Sequence, residues 1–383
     1  MLVCSGEPDA VKAARPVRRG VDGKGPQEWY LAGCLPYTVA LFTLALRLAV
    51  EGYQVIFLDP VGKIPWLCEA VGGGAICNEV TTDGAINCLD PVSTDIDSQL
   101  KSVLRKLNII LGKVHEEAGS ITYVPRDFTN YEEGAIDRAL NDERVYGTKG
   151  HKLHGMTPAT APLLSDLCDA LENVVLRTHP GVGPALAEEI RLKAEGSSAH
   201  IYNARTVVKW DFSSDVCGFN FKDADKQMLP LYYDHCLSQL DRYVRSEERK
   251  RRKQPLMVII DEMGYMSQIK SLEAFIAFAT KTWRNYMACM GSGDQNAQMY
   301  MAGSDFSKLT SDITAIKFIG KQQGHDVELI RQAYGHLLTD DDIEAIRTSQ
   351  AGEFVAIFKN EVHRLKIELT NEERPYFIRR NKE

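Results

Sequence analysis

No two of the nine cysteines form a C-x-x-C pair; they stand at positions 4, 34, 68, 77, 88, 168, 217, 236 and 289. An odd number at irregular spacing argues against a zinc site or a disulfide framework and fits reduced cytosolic thiols. A basic excess is missing too. Lysine and arginine number 45 against 52 acids, giving a formal net charge of −7 and a pI near 5.8. That balance disfavours a protein that coats nucleic acid, while leaving room for a local basic patch. There are no long repeats and no low-complexity tract, and no lysine lies between Lys24 and Lys63. Charge is also absent from the 18 residues Trp29 to Leu46, which follow Arg15, Arg18, Arg19 and Lys24. This run reaches the lower edge of a membrane span with a basic flank. Gly33 and Pro36 break it near its start, however, and Arg47 and Glu51 continue its helical register, so a short strand followed by a buried helix accounts for it equally well.

What is present is ordinary globular material. The 383 residues are 44% hydrophobic and 25% charged, a composition that is neither disordered nor fibrous, at a length that supports a large core and more than one domain. The organising stretch is Pro255 to Gly264, PLMVIIDEMG. Met257 to Ile260 form an unbroken apolar run, too short for a buried helix and rich in β-branched residues, which reads as a central strand buried on both faces. It runs into Asp261 and Glu262. Carboxylates at the C-terminal end of a buried parallel strand lie at the crevice where open α/β sheets bind ligands. In nucleoside triphosphatases the first acid of such a pair holds Mg²⁺ and the second polarises the attacking water. The plainer alternative is a strand that runs into a solvated turn.

The remaining pattern is α/β. Residues 1–27 are Gly-, Pro- and Arg-rich and read as a lead-in. A strand is expected at Glu28 to Ala32, a turn at Gly33 to Tyr37, a helix at Thr38 to Val50 stopped by Gly52, and a buried strand at Tyr53 to Leu58 ending in Asp59-Pro60. A strand–loop–helix–strand unit implies a parallel pair with a right-handed crossover. From about Asp95 to Glu195 the apolar spacing turns helical, over Ile96–Leu111, Asn130–Arg144, Thr160–Val174 and Gly183–Glu195, with strand signals almost absent. Short strands are expected again at His200–Tyr202 and Val207–Phe212, then a long helix over Ala224–Glu248. Its end, the run Glu247 to Lys253, is most simply a solvated helix end or loop. A helix over Ser267–Arg284, strands at Tyr286–Met290 and Ala315–Gly320, and helices over Asp326–Tyr334 and Asp340–Arg347 follow, the last capped by Thr339. Alternation at Glu353–Lys359 and Val362–Leu369 predicts a terminal hairpin around Asn360-Glu361. The domain expectation is therefore a core of 28–94 and 200–383 with an all-helical insertion at 95–199.

A phosphate loop of the form G-x-x-x-x-G-K-[ST] belongs between the first strand and its helix. The context is right and the motif is not. Counting from Gly33, the places of the second glycine, the lysine and the hydroxyl hold Thr38, Val39 and Ala40, and Pro36 removes one backbone N–H. Gly33, Thr38 and the helix dipole remain as candidate phosphate contacts. The missing lysine alone forfeits a charge-assisted contact of roughly 1.5–3 kcal/mol.

The order of these features resembles the C-terminal domain of the conjugative-transfer and type IV secretion ATPases of the TraC/TrbE kind, the large energising ATPase of the VirB system. The resemblance covers about residues 28–370. It rests on Asp59-Pro60 with Gly62, Gly72-Gly73, Ile86-Asn87 with Leu89-Asp90, Pro162 to Leu167, the Asp261-Glu262 pair, Arg284-Asn285 and Gln295. It implies a RecA-like P-loop NTPase fold, a mostly parallel sheet flanked by helices, with an inserted all-α subdomain and a C-terminal β-hairpin. It implies ATP and Mg²⁺ as cofactors, with Asp261 handling the metal, Glu262 orienting water, Gln295 sensing the γ-phosphate and Arg284 bringing positive charge to a phosphate across a subunit boundary. It also implies a homo-oligomer, a hexamer or smaller, working with other secretion subunits in the cytoplasm at the inner-membrane surface. Three departures stand out: the missing phosphate-loop motif, Lys63 where the family usually has an acid, and Cys88 where it usually has proline. The family also has a large N-terminal domain, and this sequence is expected to begin almost at the ATPase core. Two further readings stay open: a catalytically silent structural subunit of the same apparatus, and a DNA translocase of the HerA/FtsK type that binds DNA directly. Of the lysines that could approach the crevice in place of the missing one, Lys24, Lys63 and Lys321 lie in suitable loops.

Overall fold

A strand apolar on both faces needs cover on both sides, and the sequence supplies it. The computed structural model describes residues 2–5, 36–71, 74–81, 84–117, 120–264, 270–295, 297, 300 and 314–374. In chain order the elements are β1 (Leu2–Ser5), α1 (Pro36–Val50), β2 (Gln54–Asp59), α2 (Ile64–Val71), β3 (Ala75–Glu79), α3 (Ile96–Ile110), β4 (Lys113–Glu117), β5 (Ser120–Val124), α4 (Asn130–Leu140), α5 (Leu164–Glu172), α6 (Val182–Glu195), α7 (Ala199–Tyr202), β6 (Val216–Asn220), α8 (Leu229–Arg245), α9 (Glu247–Arg252), β7 (Leu256–Ile260), α10 (Lys270–Trp283), β8 (Ala288–Gly293), β9 (Ile316–Ile319), α11 (His325–Tyr334), α12 (Asp340–Thr348), β10 (Glu353–Phe358) and β11 (Glu361–Lys366).

The main sheet runs β11-β10-β9-β1-β8-β7-β2-β6-β3. Its heart is five parallel strands, β8-β7-β2-β6-β3. Side chains alternate across it as the pleat requires. Val55, Phe57, Met257 and Ile259 face α1, where they meet Val39, Leu41, Phe42 and Leu48; the Phe42 and Phe57 rings stack at 4.8 Å. Ile56, Leu58, Val258 and Ile260 face the other way. They join one apolar cluster with Leu237 and Leu240 of α8, Ile276 of α10, and the helices of the 95–199 stretch, including Val103, Leu107, Ile136, Leu167 and Ile190. The RecA-like architecture expected from the resemblance is the architecture found, terminal hairpin included.

Several local expectations are corrected. Leu2–Ser5 is not part of a loose lead-in; it is a strand of the main sheet, antiparallel to both β8 and β9. The expected strand at 28–32 and the turn at 33–35, with Gly33, fall outside the described residues. Helix α1 begins at Pro36, two residues earlier than expected, because proline presets the helical φ and its missing N–H is harmless in a first turn. His200–Tyr202 is a helical turn, and Val207–Phe212 is irregular. The strand of that region is β6, whose buried VCGFN lacks a strand-like pattern because Gly218 interrupts it. A Cβ on Gly218 would stand 2.0 Å from Cγ1 of Ile64, so the close crossing of α2 dictates the glycine. The 95–199 stretch contains an antiparallel hairpin, β4–β5, alongside its helices. The long helix breaks at Ser246, whose backbone is extended and whose hydroxyl accepts from the Arg249 N–H, opening α9. The terminal hairpin turns on Lys359-Asn360, since Phe358 pairs with Glu361.

Among the described residues no helix is long and apolar enough to cross a membrane. The described part of the uncharged run lies in α1, a helix of 15 residues laid on the sheet.

Candidate functional site

Strand β2 ends at Asp59, and this buried carboxylate organises the loop behind it. One oxygen accepts the N–H groups of Val61 at 2.8 Å and Gly62 at 3.0 Å. The other accepts that of Ile64 at 2.6 Å and that of Lys63. Asp59 thereby satisfies donors that the start of α2 would leave orphaned. Its charge is committed to this loop, in keeping with a structural role. Gly62 takes φ +85, and the Lys222 side chain lies so close that a Cβ would stand 2.4–3.0 Å from it. The loop so fixed carries Lys63 toward the neighbouring strand, where its Nζ stands 3.5 Å from Oδ2 of Asp261.

Asp261 follows β7 directly. Its side chain has no exposed surface, and that of Lys63 is only 12% exposed; the backbone N–H of Asp261 donates to the Leu58 carbonyl at 3.0 Å. Burial pushes the Asp261 carboxyl up to about 7, with the Lys63 ammonium pulling it down and the charges of Asp59 and Glu262 adding to the rise. Glu262 adopts the left-handed region, φ +51, which is uncommon for a residue with a Cβ and clusters at functional sites. Its N–H donates to Asp261 Oδ1 at 3.2 Å, and its Oε1 accepts from Gln295 Nε2 at 2.7 Å. The next strand supplies Asp294, which accepts the Gly264 N–H at 2.8 Å, and Gln295, whose carbonyl accepts from Gln322 Nε2 at 3.2 Å. The ends of β2, β7, β8 and β9 thus converge at one edge of the sheet, the C-terminal edge of its parallel strands, where ligands of open α/β folds bind.

This edge brings together Asp261, Glu262 and Gln295. Arg284 is not there. It lies in the 3-10 turn Arg284–Tyr286 that leads into β8, at the strand's opposite end, and is exposed. The six residues of β8 put about 17 Å between the two edges. Thr38 lies in the first turn of α1, and Gly33 is outside the described residues. Sequence reasoning passed over Asp294 and Gln322, and named Lys63 only as a departure from the family and as one of three lysines whose loops could approach the crevice. The available signal was positional: Lys63 follows a strand-end acid by four residues in a loop adjoining the central strand.

The structure of VirB4 from Thermoanaerobacter pseudethanolicus matches this chain with a TM-score of 0.69 at 21% identity, covering 88% of this chain and 87% of that one. The bacterial conjugative coupling protein TrwBdeltaN70, in its unbound monoclinic form, matches at 0.54 and 12% identity over 89% of this chain and 84% of its own. TrwB in complex with the non-hydrolysable GTP analogue GDPNP matches at 0.53 and 12% identity over 87% and 83%. No protein-family model and no curated protein matches the sequence. At these identities the likeness concerns the fold: a RecA-like P-loop NTPase fold shared with VirB4 and TrwB, in agreement with the resemblance read from the sequence.

Proposed function

We propose that this chain is the NTPase-fold motor component of a conjugation or type IV secretion apparatus and that it binds a nucleoside triphosphate, ATP in the first instance, at the C-terminal edge of its parallel strands. The observation that carries this reading is the Asp261-Glu262 pair at the end of the central strand, with Gln295 hydrogen-bonded to Glu262. In such a site Glu262 would polarise an attacking water, and Gln295 would exchange its bond to Glu262 for one to the terminal phosphate. Gly33 and Thr38, where the phosphate loop belongs, would offer backbone N–H groups and no ammonium. Turnover is accordingly slow or lost, and the subunit's remaining contribution is structural.

The fold implies Mg²⁺ on Asp261. The donor set fits it poorly, because the Lys63 ammonium already occupies the approach to that carboxylate. Mg²⁺ takes oxygen ligands in near-ideal octahedral geometry, and a lysine cation is a competitor rather than a ligand. The residues at this carboxylate therefore support no hydrolytic step through a metal.

The wider reading has a homo-oligomer, hexameric or smaller, assembling with other secretion subunits on the cytoplasmic side of the inner membrane, with 95–199 as an inserted subdomain. Arg284, exposed and far from its own crevice, suits a contact to a neighbouring subunit's nucleotide. Calorimetric titration of ATP into wild type and Gln295→Ala, together with phosphate release by wild type and Glu262→Gln, tests the core of the proposal. Micromolar binding with release below about one turnover per minute, further reduced in Glu262→Gln, is the expected result. No binding at millimolar ATP would leave the catalytically silent structural subunit as the reading.

A further inference from the structure

We propose that Lys63 is the crevice's built-in counter-cation, standing where a divalent metal would bridge Asp261 to a polyphosphate, so that this chain takes up nucleoside phosphates without a divalent ion. The inference rests on the nucleotide reading above and departs from the metal chemistry that reading implies.

Three observations carry it. The first is placement. The carboxylate expected to hold the metal is wholly buried and has the Lys63 ammonium 3.5 Å away, from a side chain itself largely buried. A dication brought to the same carboxylate would meet a like charge at short range in a poorly screened site. The second is preorganisation. Lys63 follows a loop fixed by four backbone N–H groups on Asp59, by the left-handed turn at Gly62 and by the Lys222 stem packed against that turn. An ammonium delivered by a rigid loop is a built feature of the site, and little ordering is left for a ligand to impose. The third is charge. Asp261, Glu262 and Asp294 crowd this edge with carboxylates that repel a phosphate chain, and the helix-first turn at Pro36 to Val39 contains no lysine to offset them. Lys63 places a cation 3.5 Å from the buried Asp261 carboxylate, where it offsets that charge at the edge a phosphate would approach. A lysine is a competent phosphate partner as a compact point charge.

The test titrates ATP into the full chain by calorimetry, once in EDTA and once in excess Mg²⁺, for wild type, Lys63→Met, Lys63→Arg and Lys63→Glu, with circular dichroism as a folding check. Expected are wild-type affinities equal within about twofold in the two buffers and a loss of at least about tenfold in Lys63→Met. Lys63→Arg should retain binding in EDTA, and Lys63→Glu should bind only with Mg²⁺. Wild-type binding that vanishes in EDTA would overturn the inference and leave the nucleotide reading standing. So would binding in EDTA that a folded Lys63→Met retains in full. Absence of binding in both buffers would overturn the nucleotide reading and the inference with it. The wild-type comparison decides even if a variant does not fold.

Discussion

Gly62 and Gly52 share a left-handed backbone, φ +85 and +88, and differ in what surrounds them. Alanine at Gly52 would meet nothing within 4 Å, whereas at Gly62 it would meet Cβ, Cγ and Cδ of Lys222. Gly52→Ala is therefore expected to cost about 1 kcal/mol, the conformational term alone. Gly62→Ala should cost about 1 kcal/mol more, because the Lys222 stem has to move. Urea unfolding of the two variants checks this. Equal losses would mean that the Lys222 packing contributes nothing to the loop that positions Lys63. Asp59 illustrates the same point about legibility. The sequence marks it as the acid that ends a buried strand; that its two oxygens accept four N–H groups depends on the path of residues 60–64, which a central φ above zero directs and which no periodicity reports.

Helices α3 and α8 bury charge against each other, and their energetics are a matter of whole faces. From α8, His235 lies with Nε2 3.6 Å from Asp90 Oδ2, under the Trp210 ring at 5.2 Å. Asp234 on the same helix pairs with Arg105 and stands 3.8 Å from the Lys106 ammonium of α3, which also donates to Ser102 at 2.6 Å. Thr206 donates to Asp90 at 2.6 Å. Burial holds His235 well below its ordinary range, with the Lys106 charge adding to the effect. Burial also raises the Asp90 carboxyl to about 6, against the pull of Thr206 and Lys106. The two act in opposite directions. Below about pH 6.5 the unfolded chain takes up a proton on His235 that the folded chain refuses, so stability is lost as pH falls. Between about pH 6 and 4 the folded chain holds a proton on Asp90 that the unfolded chain releases, so stability is gained as pH falls. Relative to wild type, His235→Asn should thus gain about 2 kcal/mol on going from pH 7 to 5, and Asp90→Asn should lose about 1 kcal/mol. Chemical denaturation at the two pH values measures both, and slopes of the same sign would show that the pair does not titrate as described. At this scale the long periodic helices and the apolar strands β2 and β7 were legible, because a single pattern specifies each. Strands β1, β4, β5 and β6 were not. The hairpin strand β4 is KVHEE, Gly218 interrupts β6, and what makes β6 a strand is its place between β2 and β3.

For the whole molecule, net charge bears on the choice between nucleotide and DNA as the ligand. The basic run Glu247 to Lys253 does not present itself as a phosphate-binding stripe. Arg249 is buried and donates to the Gln254 carbonyl, Lys250 pairs with Glu247 at 2.6 Å, and Arg252 donates to the Ser213 carbonyl with Asp215 3.8 Å away. With the net charge at −7, double-stranded DNA should bind weakly, with a dissociation constant above about 10 µM at physiological salt. Fluorescence anisotropy over a salt series checks it. Tight binding with a steep salt slope would restore the DNA-translocase reading.

The other consequence of whole-molecule geometry concerns Arg284. Parallel strands have two unlike edges, and the chain puts Asp261, Glu262 and Gln295 on one and Arg284 on the other, about 17 Å away across β8. The Met287 carbonyl just after the Arg284 turn accepts the Leu256 N–H at 2.9 Å, which ties this turn to the start of the central strand. An arginine side chain cannot cross the sheet it stands beneath, so any work Arg284 does on a phosphate must be done in a second copy. Two measurements then separate. In a dilute, monomeric sample Arg284→Ala should bind ATP within about twofold of wild type, since no bond to the site is removed. In a concentrated sample, where ATP promotes a larger species by sedimentation velocity, the same variant should weaken the concentration-dependent part of nucleotide binding about tenfold, the value of one charge-assisted contact. Loss of binding in the monomer would mean that Arg284 reaches its own crevice, against the strand direction found here. An unchanged concentration dependence would reduce Arg284 to a solvated cation at a helix end, favourable to the dipole of α10 and to nothing else.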